Sequence, residues 1–110
     1  MNPQECFPDA GRWHPAGDGR FTGTVGKDWT QGRTAFGGVV VTAALRALGS
    51  MVEPERTLRA VQVVFMAPVA PGTVEAGVSV LRAGRSVTFA EARGEQEGRD
   101  CVRVLADYAA

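Results

Sequence analysis

The apolar positions of this chain divide into one helical segment and a series of strands. Across residues 39–52 almost every side chain is apolar, and Arg46 carries the only charge. A helix that is apolar on all sides must be surrounded by protein or by lipid. The segment is too short to cross a bilayer, which takes about 20 apolar residues. We therefore expect a helix that is covered by a sheet of the same protein.

Alternating apolar residues and turn dipeptides predict one strand before this helix and four antiparallel strands after it. The predicted strands cover residues 19–28, 58–66, 74–80, 85–93 and 101–108. They are separated by turn signals such as Pro71-Gly72, Ala83-Gly84 and Glu97-Gly98. A curved antiparallel sheet around one long helix is the hot-dog architecture, an α+β fold. We assign residues 1–18 to an irregular leader and residues 19–110 to a single hot-dog domain.

The strand after the helix has apolar side chains on both of its faces. One face carries Val61, Val63 and Phe65, and the other carries Ala60, Val64 and Met66. A half-exposed strand would alternate apolar and polar residues, so burial on two sides is indicated. This strand is therefore predicted to be central in the sheet or to lie at a subunit contact.

Composition narrows the range of partners. The 12 basic residues balance the 12 acidic ones, so no net field attracts nucleic acid or an acidic membrane. The two cysteines, Cys6 and Cys101, lie at opposite ends of the chain and are expected to be reduced. A single histidine cannot form a metal site by itself, so we expect no metal. The first residues lack the basic and apolar regions of a signal peptide, which favours a cytoplasmic protein.

An ordered set of short motifs resembles the acyl-CoA thioesterase II family. The set comprises Trp29, Phe36-Gly37-Gly38, an alanine-rich helix, and the segments 64–72 and 80–87. The resemblance extends over roughly residues 19–109, in the order of the family. It implies a hot-dog fold and hydrolysis of acyl thioesters of coenzyme A or of a carrier protein. For such a reaction no separate cofactor is expected, because a polarised carbonyl and an activated water molecule suffice.

The chain resembles only half of such an enzyme. Members of that family are usually double hot dogs, and the present sequence resembles their first unit. Their catalytic acid, hydroxyl and amide lie mainly on the second unit, and the helix here has no acid between Gly37 and Ser50. The family's catalytic triad therefore cannot be carried over. Two copies could pair edge to edge and reproduce the double unit, so we expect a homodimer or a higher homo-oligomer. A separate chain that supplies the second unit is the alternative.

The residues around the helix start are the candidates for catalysis. Backbone N–H groups of Gly37 and Gly38 could hold a thioester carbonyl and its developing oxyanion. The two glycines could equally serve only close packing of the helix. Asp28 is the candidate general base, as in related single-unit hot-dog thioesterases, although it could simply be a turn residue. Gln31 could help to orient water, or it could lie on the surface.

Substrate contacts are predicted at two further places. Arg82, Arg85 and Ser86 flank the Ala83-Gly84 turn and could meet the phosphates of coenzyme A, unless they form only a solvated rim. Phe36 and Phe65 could line an acyl tunnel, although apolar residues at such positions are more often core.

Two other functions stay open from the sequence. A non-catalytic module that binds acyl thioesters or mediates dimerisation would explain the missing helix acid. A hot-dog dehydratase or cyclase would use a pair of Asp and His such as Asp9 and His14, which have four residues between them. This pair precedes the first predicted strand, whereas the corresponding pair in those enzymes follows it.

Overall fold

The computed structural model describes residues 13–25, 30–31, 34–35 and 37–110. Within these residues the chain forms eight strands and one helix. Their bounds are β1 His14–Gly17, β2 Arg20–Val25, β3 Thr30–Gln31, β4 Thr34–Ala35, α1 Gly37–Gly49, β5 Thr57–Phe65, β6 Gly72–Ala83, β7 Val87–Gln96 and β8 Arg99–Ala109. The predicted helix, the strand before it and the four strands after it are confirmed.

Six of these strands form one antiparallel sheet in the order β1-β2-β6-β7-β8-β5. Strands β3 and β4 pair separately as a short hairpin just before α1. The helix packs on one face of the large sheet, against β7. We call this helix-covered face the inner face and the opposite face the outer face. The arrangement is the α+β architecture that the sequence predicts.

Small side chains bring the helix close to the sheet. Ala43, Ala44 and Ala47 are buried on the sheet-facing side of α1, and Ala90 and Ala92 are buried on the inner face of β7. Because none of these residues has atoms beyond Cβ, the helix and strand backbones can approach closely. Larger residues complete the core around this contact: Val40, Leu48, Val74, Val78, Val102 and Val104.

The sheet begins earlier than the sequence predicts. His14–Gly17 form strand β1, which pairs with β2, so the irregular leader expected up to residue 18 is wrong for its last residues. Trp13 is buried just before β1. Its indole ring lies over Gly94 of β7, where a Cβ atom would come within 3.5 Å of the ring. The tryptophan therefore helps to fix the start of β1 on the core.

Strand β5 lies at the edge of the sheet, which corrects the first of its two predicted positions, the centre, and leaves the second, a subunit contact, as a prediction. Its only neighbour in the described part of the chain is β8. Val61 and Phe65 pair with the buried residues Ala106 and Val102 and therefore lie on the inner face, yet 43% and 48% of their surfaces are exposed. The helix lies over β7 and does not cover this edge. Burial of β5 thus requires a contact from outside the described residues.

Candidate functional site

The start of α1 is the first part of the candidate site. The helix begins at Gly37, directly after the short β3–β4 hairpin, and Gly38 is exposed. The first N–H groups of a helix have no partner within it, and the helix dipole places partial positive charge there. The first turn contains no acidic residue that would neutralise this charge. A carbonyl or oxyanion could therefore be bound at this position.

The carboxylate that would activate water is not supplied by α1. The helix sequence from Gly37 to Gly49 contains neither Asp nor Glu. Two sequence-predicted residues, Asp28 and Phe36, lie outside the described residues. Gln31 lies in strand β3, close in sequence to the helix start. The base assigned to Asp28 stays a prediction.

An apolar strip along β5 is the second part of the site. The residues Leu58, Val61 and Phe65 lie on the inner face, because their partners Tyr108, Ala106 and Val102 on β8 are buried there. Each of the three is more than a third exposed. An acyl chain or a second protein surface would be stabilised by removing this strip from water. The role of Phe65 in an acyl tunnel stays a prediction.

The turn between β6 and β7 is the third part, and a guanidinium group holds it from the helix side. Nη2 of Arg56 donates to the carbonyl oxygens of Gly84 and Arg85 at 2.7 and 2.8 Å. Nη1 donates to Oγ1 of Thr88 at 2.7 Å, and Nε lies 3.2 Å from a carboxylate oxygen of Glu53. Only 12% of the Arg56 side chain is exposed. These contacts tie the segment after α1 to the turn.

Thr88 completes this cluster. It is fully buried on the inner face of β7, and its hydroxyl accepts from Arg56 and donates to Glu53 at 3.0 Å. A backbone hydrogen bond to its carboxylate is the main cause that lowers the pKa of Glu53, with smaller contributions from Thr88 and Arg56 against a partial desolvation that raises it. Glu53 is therefore held as the anion that pairs with Arg56.

Sequence reasoning missed this cluster, although one signal was available. Thr88 alternates with Ala90, Ala92 and Gly94 on the buried face of β7. A buried hydroxyl needs hydrogen-bond partners. The sequence alone does not identify those partners, because Arg56 and Glu53 are 32 and 35 residues away.

A β-bulge turns Arg82 away from the helix side of the sheet. The register between β6 and β7 shifts between Val80 and Arg82, so that Arg82 pairs with the exposed Phe89. Without the bulge, Arg82 would continue the inner series of Val74, Ala76 and Val78. Its Nε lies 3.9 Å from the position that a Cβ atom on Gly84 would take. Arg82 thus lies on the outer side of the turn.

The structure brings Arg82, Arg85 and Ser86 together but places them away from the helix start. Arg85 and Ser86 are exposed in the turn itself. The turn is held by Arg56, which follows the C-terminal end of α1. A helix of 13 residues is about 20 Å long, so one helix length separates Gly37 from this end. Within one chain, the two groups of predicted site residues therefore lie at opposite ends of the helix.

A polar groove on the outer face is separate from both groups. Its volume is about 530 Å³, and Arg20 and Arg93 line it together with Glu75, Glu95 and Asp100. His14 is exposed on the edge strand β1, and Asp9 lies outside the described residues. Cys101 is buried with a free thiol. The described residues contain no group of His, Cys, Asp and Glu suited to a metal ion, and no helix among them is long and apolar enough to span a membrane.

Comparison with solved structures identifies the class of fold. A proposed thioesterase II from Thermobifida fusca superposes with a TM-score of 0.84 at 23% identity, over 94% of this chain and 38% of that chain. A conserved protein of unknown function with a hot dog fold from Alicyclobacillus acidocaldarius gives 0.81 at 25% identity, over 94% and 39% of the two chains. The present chain is a hot-dog domain, as predicted from its sequence.

A shorter relative shows the same fold as a whole chain. A proposed thioesterase related to phenylacetic acid degradation from Ralstonia eutropha has a TM-score of 0.74 at 13% identity, over all of this chain and 92% of that one. The chain spans about two fifths of the length of the first two structures. Curated protein sequences give no match.

The sequence defines the family more closely. Residues 25–109 match the acyl-CoA thioesterase N-terminal domain. This match covers most of the chain, including α1 and strands β5 to β8. The chain belongs to the family of acyl-CoA thioesterase N-terminal domains, which agrees with the resemblance seen in its motifs.

Proposed function

We propose that this protein acts in the hydrolysis of acyl thioesters of coenzyme A or of a carrier protein. The observation that carries the proposal is the exposed glycine start of α1, in a member of a thioesterase domain family. Gly38 has no side chain that would block access to the free N–H groups of the first helical turn. The cytoplasmic location expected from the sequence belongs to the same proposal.

The reaction requires a polarised carbonyl and an activated water molecule. Backbone N–H donors at Gly37 and Gly38 would stabilise the oxyanion that forms when water attacks the thioester carbonyl. Asp28 would accept the proton of that water, with Gln31 helping to orient it. The tetrahedral intermediate then collapses to a carboxylic acid and a free thiol. No separate cofactor takes part in these steps.

The exposed edge of β5 supports a homodimer as the working form. An edge strand with free N–H and C=O groups is open to pairing with another strand. Here the edge also carries the apolar residues Leu58, Val61 and Phe65, whose burial would stabilise such a contact. Pairing of two β5 strands would join two sheets into one and cover this strip. A second hot-dog unit from another chain would satisfy the same surface.

The lack of an acid in α1 favours a second candidate function. Without a suitably placed carboxylate, the domain would bind acyl thioesters at the helix start and along β5 without hydrolysing them. Such a module would depend on its partner unit for the catalytic groups. The two functions differ in turnover and agree in ligand binding. The dehydratase or cyclase alternative receives no support from His14, which is exposed at the sheet edge far along the sheet order from β5.

Release of free thiol from a panel of acyl-CoAs tests the proposal. Turnover should depend on the protein, and Gly38→Val should abolish it because a branched side chain would fill the helix start. Gly49→Val is the matched control at the other end of α1, where a Cβ atom would meet nothing within 4 Å. Asp28→Asn should lower kcat with little change in KM if Asp28 activates water.

Two results would count against these assignments. Full activity of Gly38→Val would remove the role of the helix start, and full activity of Asp28→Asn would remove that of Asp28. Binding of acyl-CoA without any thiol release, by a folded and assembled protein, would establish the non-catalytic module instead.

A further inference from the structure

The backbone of the β6–β7 turn has a defined orientation. The carbonyl oxygens of Gly84 and Arg85 both accept from Arg56, which approaches from the helix side. In a trans peptide the C=O and the following N–H point in opposite directions. All peptide bonds in the described residues are trans. The N–H groups of Arg85 and Ser86 must therefore point away from Arg56, toward the outer side of the turn.

These two N–H groups have no hydrogen-bond partner among the described residues, whereas the neighbouring Gly84 N–H donates to the carbonyl of Val87 at 2.8 Å. Arg85 and Ser86 are exposed. Successive backbone N–H groups that point to one side form a concave site for anions. The turn therefore presents two free donors to the solvent.

The side chains around these donors match the same kind of ligand. The bulge in β6 places Arg82 on the outer side, and its Nε lies close to Gly84. Arg85 adds a second guanidinium, and Ser86 adds a hydroxyl. Among the described residues, the carboxylate that contacts Arg56 and Thr88 is that of Glu53, and it is paired with Arg56 on the helix side. The outer side of the turn is therefore positively charged.

We infer that the β6–β7 turn is a binding site for a phosphate ester, formed by the Arg85 and Ser86 N–H groups, the Ser86 hydroxyl and the guanidinium groups of Arg82 and Arg85. Arg56 is a positioning residue for this site, because it holds the two carbonyl groups on the opposite side. In taking coenzyme A as the ligand, the inference rests on the proposed function. The phosphodiester of a carrier-bound phosphopantetheine arm offers the same chemistry.

Binding measurements without turnover test this site. Coenzyme A, 3′-dephospho-coenzyme A, 4′-phosphopantetheine and pantetheine are titrated into the ¹⁵N-labelled protein, and Kd is measured for each by calorimetry. The amide signals of Arg85 and Ser86 should shift with a phosphorylated ligand and stay unchanged with pantetheine. Each ligand in this series lacks a phosphate or nucleotide part that the one before it carries. The step at which affinity first falls therefore shows which phosphate the turn binds. A full response to phosphopantetheine indicates the phosphate that a carrier protein shares.

Variants separate the site from general effects of charge. Arg85→Ala should weaken binding of coenzyme A about tenfold, as expected for the loss of a charge-assisted hydrogen bond, and leave pantetheine unaffected. Arg99→Ala is the control, because it removes an exposed arginine at the turn between β7 and β8. It should leave Kd for coenzyme A and Kd for pantetheine unchanged. Ser86→Ala should have a smaller effect in the same direction as Arg85→Ala.

Arg56→Lys tests the positioning role of Arg56. Lysine keeps the positive charge, but it lacks the planar guanidinium group that donates to both carbonyl oxygens and to Thr88 at once. The variant should raise Kd for coenzyme A and leave Kd for pantetheine unchanged. A general loss of stability would affect both values. Equal affinity for coenzyme A and pantetheine, or amide shifts confined to other residues, would overturn the inference. Loss of thiol release with retained binding at the turn would refute only the proposed hydrolysis.

Discussion

Replacement of Gly94 by alanine tests the packing of Trp13 on the sheet. A Cβ atom at this position would lie 2.9 Å from Cγ1 of Val102 and 3.5 Å from both Trp13 and Val74. Carbon atoms in optimal contact are about 3.5–4.0 Å apart. The side chains of Val102, Val74 and Trp13 are all buried and have little room to move. The extra methyl group therefore forces a shift in a packed part of the core.

The size of the effect follows from two opposing contributions. Overpacking of a core costs about 1–3 kcal/mol, whereas replacing glycine by alanine in a compatible conformation gains about 0.4–1 kcal/mol through the unfolded chain. We expect Gly94→Ala to lower the free energy of unfolding by about 1–2 kcal/mol. For a domain of about this size, 1 kcal/mol corresponds to a change in Tm of roughly 4 °C or more.

Gly77→Ala provides the matched control in the neighbouring strand. There the Cβ atom would lie 3.7 Å from Nη2 of Arg93, an ordinary contact at the end of a flexible side chain. This variant should be as stable as the original or slightly more stable. Thermal and urea unfolding, followed by circular dichroism at one protein concentration, compare the two variants. A Gly94→Ala protein as stable as Gly77→Ala would refute the packing argument.

Three further predictions concern the acid response, a turn and the assembly. Glu53→Gln should make the free energy of unfolding fall less steeply in acid. Because the pKa of Glu53 is lowered in the folded protein, its carboxylate stabilises the fold at neutral pH, and this stabilisation is lost as the pH falls below 4.5. An acid unfolding curve that is the same for both proteins would contradict this role. Gly19→Ala should destabilise strongly in thermal unfolding, because φ is 65° and the Cβ atom would lie 2.7 Å from the Val78 carbonyl oxygen; Gly98→Ala, with φ of 76° and open space, should lose less. Val61→Asp should yield monomers in sedimentation velocity if the β5 edge forms the dimer, whereas Leu105→Asp on the outer face should not.

The sequence predicts the helix and the strands of this fold better than it predicts which strands lie next to each other in the sheet. The apolar helix and the strands after it have clear periodicity and are separated by glycine and proline turns. Strand β1 was missed because it has only four residues, two of which are Pro15 and Gly17. The sequence left two positions open for β5, the centre of the sheet or a subunit contact, and only the first is excluded by its place at the edge. A strand with two apolar faces indicates burial but does not say whether its own sheet or another unit provides the cover.

The sequence likewise predicts some parts of the candidate site and not others. The glycine pair at the helix start is visible in the sequence, because two adjacent glycines before an apolar helix are unusual. The orientation of the β6–β7 turn is not visible, since it depends on Arg56, which lies 28 residues before Gly84. The bulge that moves Arg82 to the outer side also has no sequence signal, as Leu81 and Arg82 continue the strand without a break. Such contacts follow from tertiary structure.

The alanine contact between α1 and β7 restricts where a ligand can fit. Buried alanines occur on both elements that meet there, Ala43, Ala44 and Ala47 on α1 and Ala90 and Ala92 on β7, so the helix and the strand can approach closely. Widening a pocket there by shortening side chains is impossible, since alanine leaves almost nothing to remove. If the proposed function holds, changes in the acyl group that is accepted must then arise at the β5 margin. The central contact can stay constant while substrate preference evolves at that margin.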